Sequence, residues 1–489
     1  MLTAIVGAIA LCFSGISDAA DMAAGVNRAE HGALCAFVSM AAGTVQVPVV
    51  PAVDEVAYDY IQNLNFSTSP EDWQSMFYVD ATKQKVHESP QEAKHQNKGY
   101  EPFWEDWKKA AAAVAKADGN EKLKTSGALN LNSVERQLAH AQIQKIAAAA
   151  RKLKLSFPQP DSATAALTGV AAQQILTKAA LGGEAATATN IDNAKAFGGS
   201  NSGNRDAVCE AKTSGASPAS AVAALACVCL KGNANAITDG ACTRKSVGTT
   251  AWQAAAGTFP SNTELHTQAK ACGSRQGAAV SSADLKNALQ NLQSLVHTDG
   301  TDGYLGTFES TGCNGSSGNG VCIKFGNYVA DGQAAFDKLG WTKDLRQLTQ
   351  QLDTLAVAEK QAAIINKFIQ AKAEAATASI GEAKLTGKLI QAMQQTNGQN
   401  KKIDIKQFCE THNNSKTKCL GAKCAWKGQK EDDGPCVVDE SKVAEQTNTA
   451  GAGEQANQEA GGKDRQTNTT GNNSFFIHKT PLLFAFLLF

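Results

Sequence analysis

The sequence predicts a mainly α-helical protein, and three observations carry that reading. Alanine is abundant while β-branched runs are rare. The stretch WTKDLRQLTQQLDTLAVAEKQAAIINKFIQAKAEAA holds no Pro or Gly and repeats apolar residues every seven positions. The cysteines fall in two groups, one spread along the chain and one crowded near its C-terminus. Together these predict an elongated rod of long antiparallel coiled-coil helices with a disulfide-tied, loop-rich lobe. A small disulfide-stapled C-terminal domain follows.

The heptad comes first. Leu348, Leu355, Ala362 and Ile369 recur every seven residues, with Leu345 and Leu352 as partner positions. That spacing is a coiled-coil seam, and an exposed seam would favour a dimer. In NSVERQLAHAQIQKIAAAARKLK, Asn132 stands as N-cap and Glu135 follows three residues later, a capping box. Val26, Ala29, Ala33, Ala36 and Met40 step by three and four. They predict a first helix with a small-residue face on which the late long helix could lie. Residues 186–330 are rich in Gly, Ser, Thr and Asn and read as disulfide-tied loops.

Both termini carry targeting signals. Leu2–Phe13 is apolar but for Thr3 and ends near Ser17-Asp18-Ala19, as in a secretory signal peptide spanning 1–19. A buried first helix is the competing reading. It is weakened by the shortness of the run and the polar sequence that follows. At the other end, Pro481–Phe489 is apolar but far shorter than the roughly 20 residues a bilayer span needs. Residues 440–471 offer one large aliphatic side chain, Val443, so the stub has no neighbouring core. Small polar residues (Gly471 to Ser474), a spacer with His478 and Lys479, then an apolar tail is the order of a glycosylphosphatidylinositol (GPI) signal.

Of thirteen cysteines, Cys12 lies in the leader. An even set remains, as expected for disulfides in an oxidising compartment: Cys35, Cys209, Cys227, Cys229, Cys242, Cys272, Cys313, Cys322, Cys409, Cys419, Cys424 and Cys436. The last four lack paired C-x-x-C knuckles, which argues against zinc and for two bridges. Three pairings remain open. The resulting division is a signal peptide (1–19), a helical domain (20–395) and a hinge (396–408). The small domain (409–436), a polar tether (437–472) and a removed tail (473–489) follow.

Net charge is zero, which gives no basic footprint for nucleic acid. The chain has no H-E-x-x-H, G-x-S-x-G, P-loop or dinucleotide fingerprint, so no enzyme, cofactor or metal is expected. His31 and Cys35 stand four apart on a helix but read as a surface histidine beside a disulfide. Cys227-Val-Cys229 reads as a bridged lid loop rather than a redox pair. GSSGNG (315–320), bracketed by Cys313 and Cys322, reads as an exposed tied loop rather than a phosphate cradle. Trp73, Trp104 and Trp107 read as core. The N-x-[ST] sequons are Asn65, Asn314, Asn413 and Asn468, with Asn468 in the tether. Asn472 also matches, but its better use is as the anchor residue.

NTTGNNSFFIHKTPLLFAFLLF, the four-cysteine cluster and LCAFV around Cys35 resemble the variant surface glycoproteins of African trypanosomes, with a B-type N-terminal domain. The resemblance covers the whole chain. It implies a homodimeric coat protein held in the outer leaflet by a GPI lipid on Asn472, exposed to host antibodies and exchanged in antigenic variation. It also points to an O-linked hexose on Ser316 or Ser317. A receptor for a host serum protein on the same scaffold is the alternative.

Overall fold

The computed structural model describes residues 23–116, 121–232, 240–243, 252, 259–309, 312–316 and 319–439, without the side chains of 395–405. It divides into two compact units, residues 1–387 and 388–489.

In the first unit three helices share one apolar seam: α2 (Glu55–Thr68), α4 (Ser133–Leu155) and α9 (Gly340–Glu410). The Asp54 side chain caps α2 by accepting from the Ala57 amide. Asn132 and Glu135 form the reciprocal capping box at the start of α4. Ile369 of α9 is buried with Tyr58 and Ile61 of α2 and with Ala147 and Ala150 of α4. Further along, Ala376, Ile380 and Ala383 bury against Leu64, Ala139 and Ile143. Alanines at these positions let the backbones approach closely. Asn366 then locks α9 to the entry of α2: its Oδ1 accepts from the Asp54 amide (2.8 Å) and its Nδ2 donates to the Ala52 carbonyl (2.9 Å).

The heptad residues Leu345, Leu348, Leu352, Leu355, Ala362 and Ile369 are all buried within the single chain. The predicted seam is real, but its partners are α2, α4 and the main core rather than a second copy. The first helix differs more. α1 (Arg28–Met40) buries Ala33, Leu34, Phe37 and Val38, while Val26 and Ala29 are exposed. It packs on α5 (Gly169–Leu181), α6 (Ala221–Cys229) and α8 (Ser282–Ser294) instead of lying along α9. Phe37 meets α9 only near that helix's first turn, edge-on to Trp341 at 5.1 Å. Of the predicted face, Ala33 and Met40 are buried and Ala36 is half-buried against the core, so that face does pack from Ala33 onward, but on these helices rather than on α9.

The segment 186–330 is more ordered than a set of loops. Its hub is α6, AVAALACVC, of which every residue is buried. α7 (Asn262–Ala271), α8 and an antiparallel sheet β3 (Val296–Thr298), β4 (Gly303–Thr307), β5 (Val321–Phe325) complete it. A short parallel pair, β1 (Thr44–Val45) with β2 (Ala279–Val280), ties the segment after α1 to this region. Asn27, wholly buried, cross-links it: its Nδ2 donates to the Val228 and Val321 carbonyls, and its Oδ1 accepts from Thr307. All its hydrogen-bonding capacity is used, as burial demands.

The second unit has a small helix α10 (Lys416–Gly421) and the pair β6 (Ala425–Trp426) with β7 (Cys436–Val437). Its core is four half-cystines with Ala422, Trp426 and Val438 around them. Residues 396–408, read from sequence as a hinge, have helical backbone here as part of α9.

Candidate functional site

Four bridges tie the first unit: Cys35–Cys272, Cys209–Cys227, Cys229–Cys242 and Cys313–Cys322. Two tie the second, Cys409–Cys424 and Cys419–Cys436. Cys227 and Cys229 are not on a lid loop. Two residues apart on buried α6, their side chains leave in different directions, and each finds its own partner. His31 lies 3.5 Å from the Cys35 sulfur. That sulfur and Cys272 are spent in a disulfide, so this cluster presents no thiolate pair to a metal. Burial lowers the His31 pKa by disfavouring the charged ring.

Arg205 holds the centre of this lobe and was not legible in the sequence. Its side chain is fully buried and donates to the carbonyls of Cys227 (3.0 Å), Leu230 (2.8 Å), Lys231 (3.3 Å) and Trp252 (3.0 Å). The first three carbonyls lie at the C-terminal end of α6, where the helix dipole favours a cation. The guanidinium also sits over the Trp252 ring. Burial pushes its pKa down to about 9.

The Gly-rich segment 315–320 lies between strands β4 and β5, where it cannot form the strand–loop–helix cradle of a phosphate site. Asn314, before it, is 9% exposed rather than on a free loop. Its Nδ2 donates to Asp206 at 2.6 Å, and its Oδ1 accepts from the amide of Ser316 and from Asn319. Ser316 is half-buried; Ser317 lies outside the described residues.

The remaining sequons fall in different settings. Asn65 sits inside α2, half-buried, and its Oδ1 is buried without a partner. Asn413 is exposed in the second unit, and its Oδ1 accepts from the Cys436 amide at 2.7 Å. Asn468, Asn472, the leader and the apolar tail lie outside the described residues. Trp73, Trp104 and Trp107 form one aromatic cluster with Phe66 and Phe77, and Trp104 donates to the His87 carbonyl.

On α9 the face opposite the buried seam carries Val357, Ile364 and Phe368, exposed by 55, 52 and 51%. At i, i+7 and i+11 they share one face, which Ala371 and Ala375 extend. Among the described residues no helix is long and apolar enough to cross a membrane.

The fold and its bridges thus define a helical, disulfide-dependent protein suited to an oxidising compartment, with a stapled unit at its C-terminal end. Comparison with known proteins narrows the class. The family model "Trypanosomal VSG domain" matches residues 9–371, and "Variant surface glycoprotein ETAT" matches residues 425–489. The chain is similar to variant surface glycoprotein ILTAT 1.23 of Trypanosoma brucei brucei, 25% identical over 453 residues, covering 91% of this chain and 84% of that one. Shorter stretches resemble WRATAT B of Trypanosoma brucei rhodesiense (40% over 87 residues, 18% of this chain and 16% of that one) and MITAT 1.1 of Trypanosoma brucei brucei (64% over 36 residues, 7% of each). The chain belongs to the trypanosomal variant surface glycoprotein family.

Proposed function

We propose that this chain is a GPI-anchored coat glycoprotein of the parasite surface, exchanged for other variants to escape host antibody. The observation that carries this reading is the double family match, which takes in both the helical domain and the anchor-signal end of the chain. The physics suits the task. Helices buried on one another in the first unit form a scaffold, while loops can vary without disturbing it. A polar tether (437–472) lets the scaffold stand off the lipid.

In this reading the leader 1–19 is removed, Asn472 takes the GPI lipid, and residues 473–489 leave. The partners are a second copy of the chain, the outer leaflet and host antibodies; no cofactor or catalytic role is assigned. Asn468 and Asn413 carry N-glycans. At Asn413 a sugar on Nδ2 leaves Oδ1 free to keep its bond to the Cys436 amide. Asn314 stays unmodified, because its side chain is buried against Asp206 and leaves a sugar little room. Ser316 or Ser317 takes an O-linked hexose.

Quantitative surface labelling of intact cells tests the reading. A coat protein dominates the surface proteome, and its C-terminal peptide ends at a lipidated Asn472. A rare protein showing saturable binding of a host serum protein, or surface peptides containing Phe484–Phe489, would overturn it.

A further inference from the structure

Two places in the first unit offer chemistry that the coat role does not use. One is a cavity of about 340 Å³ between α2, α3 (Trp104–Ala115) and α4, lined by Asn65, Trp73 and Trp107 among others. Its charges are spent on each other, with Arg151 Nε 3.4 Å from Asp106 Oδ2, so a charged ligand gains little there. The other is a covalent bond, the Cys35–Cys272 bridge that joins α1 to the residue ending α7.

Two features set this bridge apart. The first is access. Of the twelve half-cystines from Cys35 to Cys436, eleven are buried, Cys35 among them. Cys272 is half-buried and opens the exposed segment 273–279. An attacking thiolate approaches in line with the S–S bond, from the side of the sulfur it attacks. It therefore meets Cys272, and Cys35 is the leaving group. The second feature is what waits beside that leaving group. Both nitrogens of the His31 ring face Cys35 Sγ, Nε2 at 3.5 Å and Nδ1 at 3.8 Å. Whichever nitrogen carries the proton, an N–H stands next to the sulfur on which charge lands. Such a donor lowers the pKa of the thiol, and a sulfur of lower pKa leaves faster. The helix makes the pairing, since residues four apart on α1 share a face. Among the described residues this is the one bridge grouped with a histidine, the three ligand atoms all lying within 4.8 Å.

We propose that Cys35–Cys272 is a thiol-exchange site, at which the protein takes a small monothiol onto Cys272. The thiolate attacks Cys272 Sγ. A new sulfur–sulfur bond forms there, the Cys35–Cys272 bond breaks, and its electron pair goes to Cys35 Sγ. The His31 N–H donates to the thiolate so formed, and a proton from water completes the thiol. Return attack by Cys35 releases the monothiol and restores the bridge, so the exchange is reversible and consumes no oxidant. Meanwhile α7 keeps its place through Leu265 and Ala269, which are buried in the main core. The site is independent of the coat role, which stands if this exchange does not occur.

The test uses the full chain secreted from eukaryotic cells. The folded protein is incubated with glutathione at about pH 8, near the pKa of a free thiol. It is then quenched with acid, alkylated and mapped by peptide mass. Glutathione should be found on Cys272, with Cys35 as the matching free thiol and an unchanged circular dichroism spectrum. Opening should be at least about tenfold faster than at Cys209–Cys227, Cys229–Cys242 or Cys313–Cys322, whose buried sulfurs react only after local unfolding. His31→Leu should slow the step by about threefold, the effect of about one pKa unit in the leaving sulfur at a slope of about 0.5. The rate at Cys313–Cys322 should not change. His31→Gln, which keeps an N–H at that position, should recover most of the rate. Glutathione on Cys35 instead of Cys272, or equal rates at the four bridges, overturns the proposal on the unaltered chain. An undiminished rate in His31→Leu, or no recovery in His31→Gln, overturns the part given to His31.

Discussion

Asn314 donates its side-chain amide to Asp206 at 2.6 Å, and the same carboxylate accepts from the Cys313 amide at 2.9 Å. One acidic side chain thereby pins the two adjacent residues that open the Cys313–Cys322 loop. At 9% exposure, Asn314 leaves a sugar on Nδ2 little room beside that carboxylate. The expected outcome is that tryptic peptides containing Asn314 are recovered without a glycan while those containing Asn413 carry one. Asp206→Ala should lower stability by about 1–2 kcal/mol, modest because the carboxylate is exposed, and loosen this loop in hydrogen exchange.

Arg205 makes a stronger case for a single side chain organising a lobe. Four carbonyls depend on it, and water has no access to replace it. Arg205→Met keeps much of the volume but leaves these acceptors unpaired. It should cost at least about 3 kcal/mol, comparable to breaking a buried ion pair. Chemical denaturation of the N-terminal unit checks this. A loss below 1 kcal/mol, on the order of a surface substitution, would contradict the role given to Arg205.

The half-buried histidines set a pH dependence. Desolvation lowers the pKa of His31 and of His140, the latter partly offset by a hydrogen bond to the Asn65 backbone. The unfolded chain titrates near 6.5, so below that pH it binds more protons than the folded chain does. Stability is therefore fully present above pH 6.5 and declines as the pH falls below it, before the carboxylates near pH 4 contribute. The decline should stay within about 1 kcal/mol per histidine, because both rings keep part of their hydration. Thermal midpoints at pH 7.5 and 5.0 measure it, and His140→Gln should flatten the slope.

What was legible in the sequence was local. The Asn132–Glu135 cap needs only residues three apart, and it forms as read. The heptad correctly marked a buried stripe, since periodicity reports that a face is covered. It does not report by what, and Leu348, Leu355 and Ile369 turned out to be covered by the chain itself. Cysteine pairing, the Arg205 clamp and the Asn27 cross-link depend on residues from nine to 294 positions apart. No spacing rule reaches them. The α1 face packs at Ala33, Ala36 and Met40 as expected, but its partners were not legible, because a small-residue face accepts any helix that approaches it. The cavity beside Asn65 was half legible: its tryptophans and sequon were noted separately, but only the fold brings them to one wall.

The C-terminal unit should depend on its bridges. Its core is little more than the cystines themselves, and loops of 15 and 17 residues are each worth about 3 kcal/mol when closed. Reduction should make residues 409–436 sensitive to trypsin, whereas the helical signal of the first unit should largely persist. We propose that trypsin also cuts near Lys401, Lys402 or Lys406. Full resistance of the small unit after reduction would show a larger core than its two cystines.

The last expectation concerns the second copy of the chain. With Leu348, Leu355 and Ile369 buried inside one protomer, they cannot be the contact between two. The outward face of α9 is the better place, because Val357, Ile364 and Phe368 leave a continuous apolar strip in water. Covering it against the same strip on a second copy would remove that exposure symmetrically, with Ala371 and Ala375 allowing close approach. The two faces therefore separate by mutation. Phe368→Glu combined with Ile364→Lys should yield a folded monomer in sedimentation, with an unchanged circular dichroism spectrum and little loss of stability. Leu348→Ala should do the opposite: it opens a cavity costing about 2–5 kcal/mol and leaves the oligomeric state alone. A dimer that survives the double charge substitution but dissociates with Leu348→Ala would return the contact to the heptad seam.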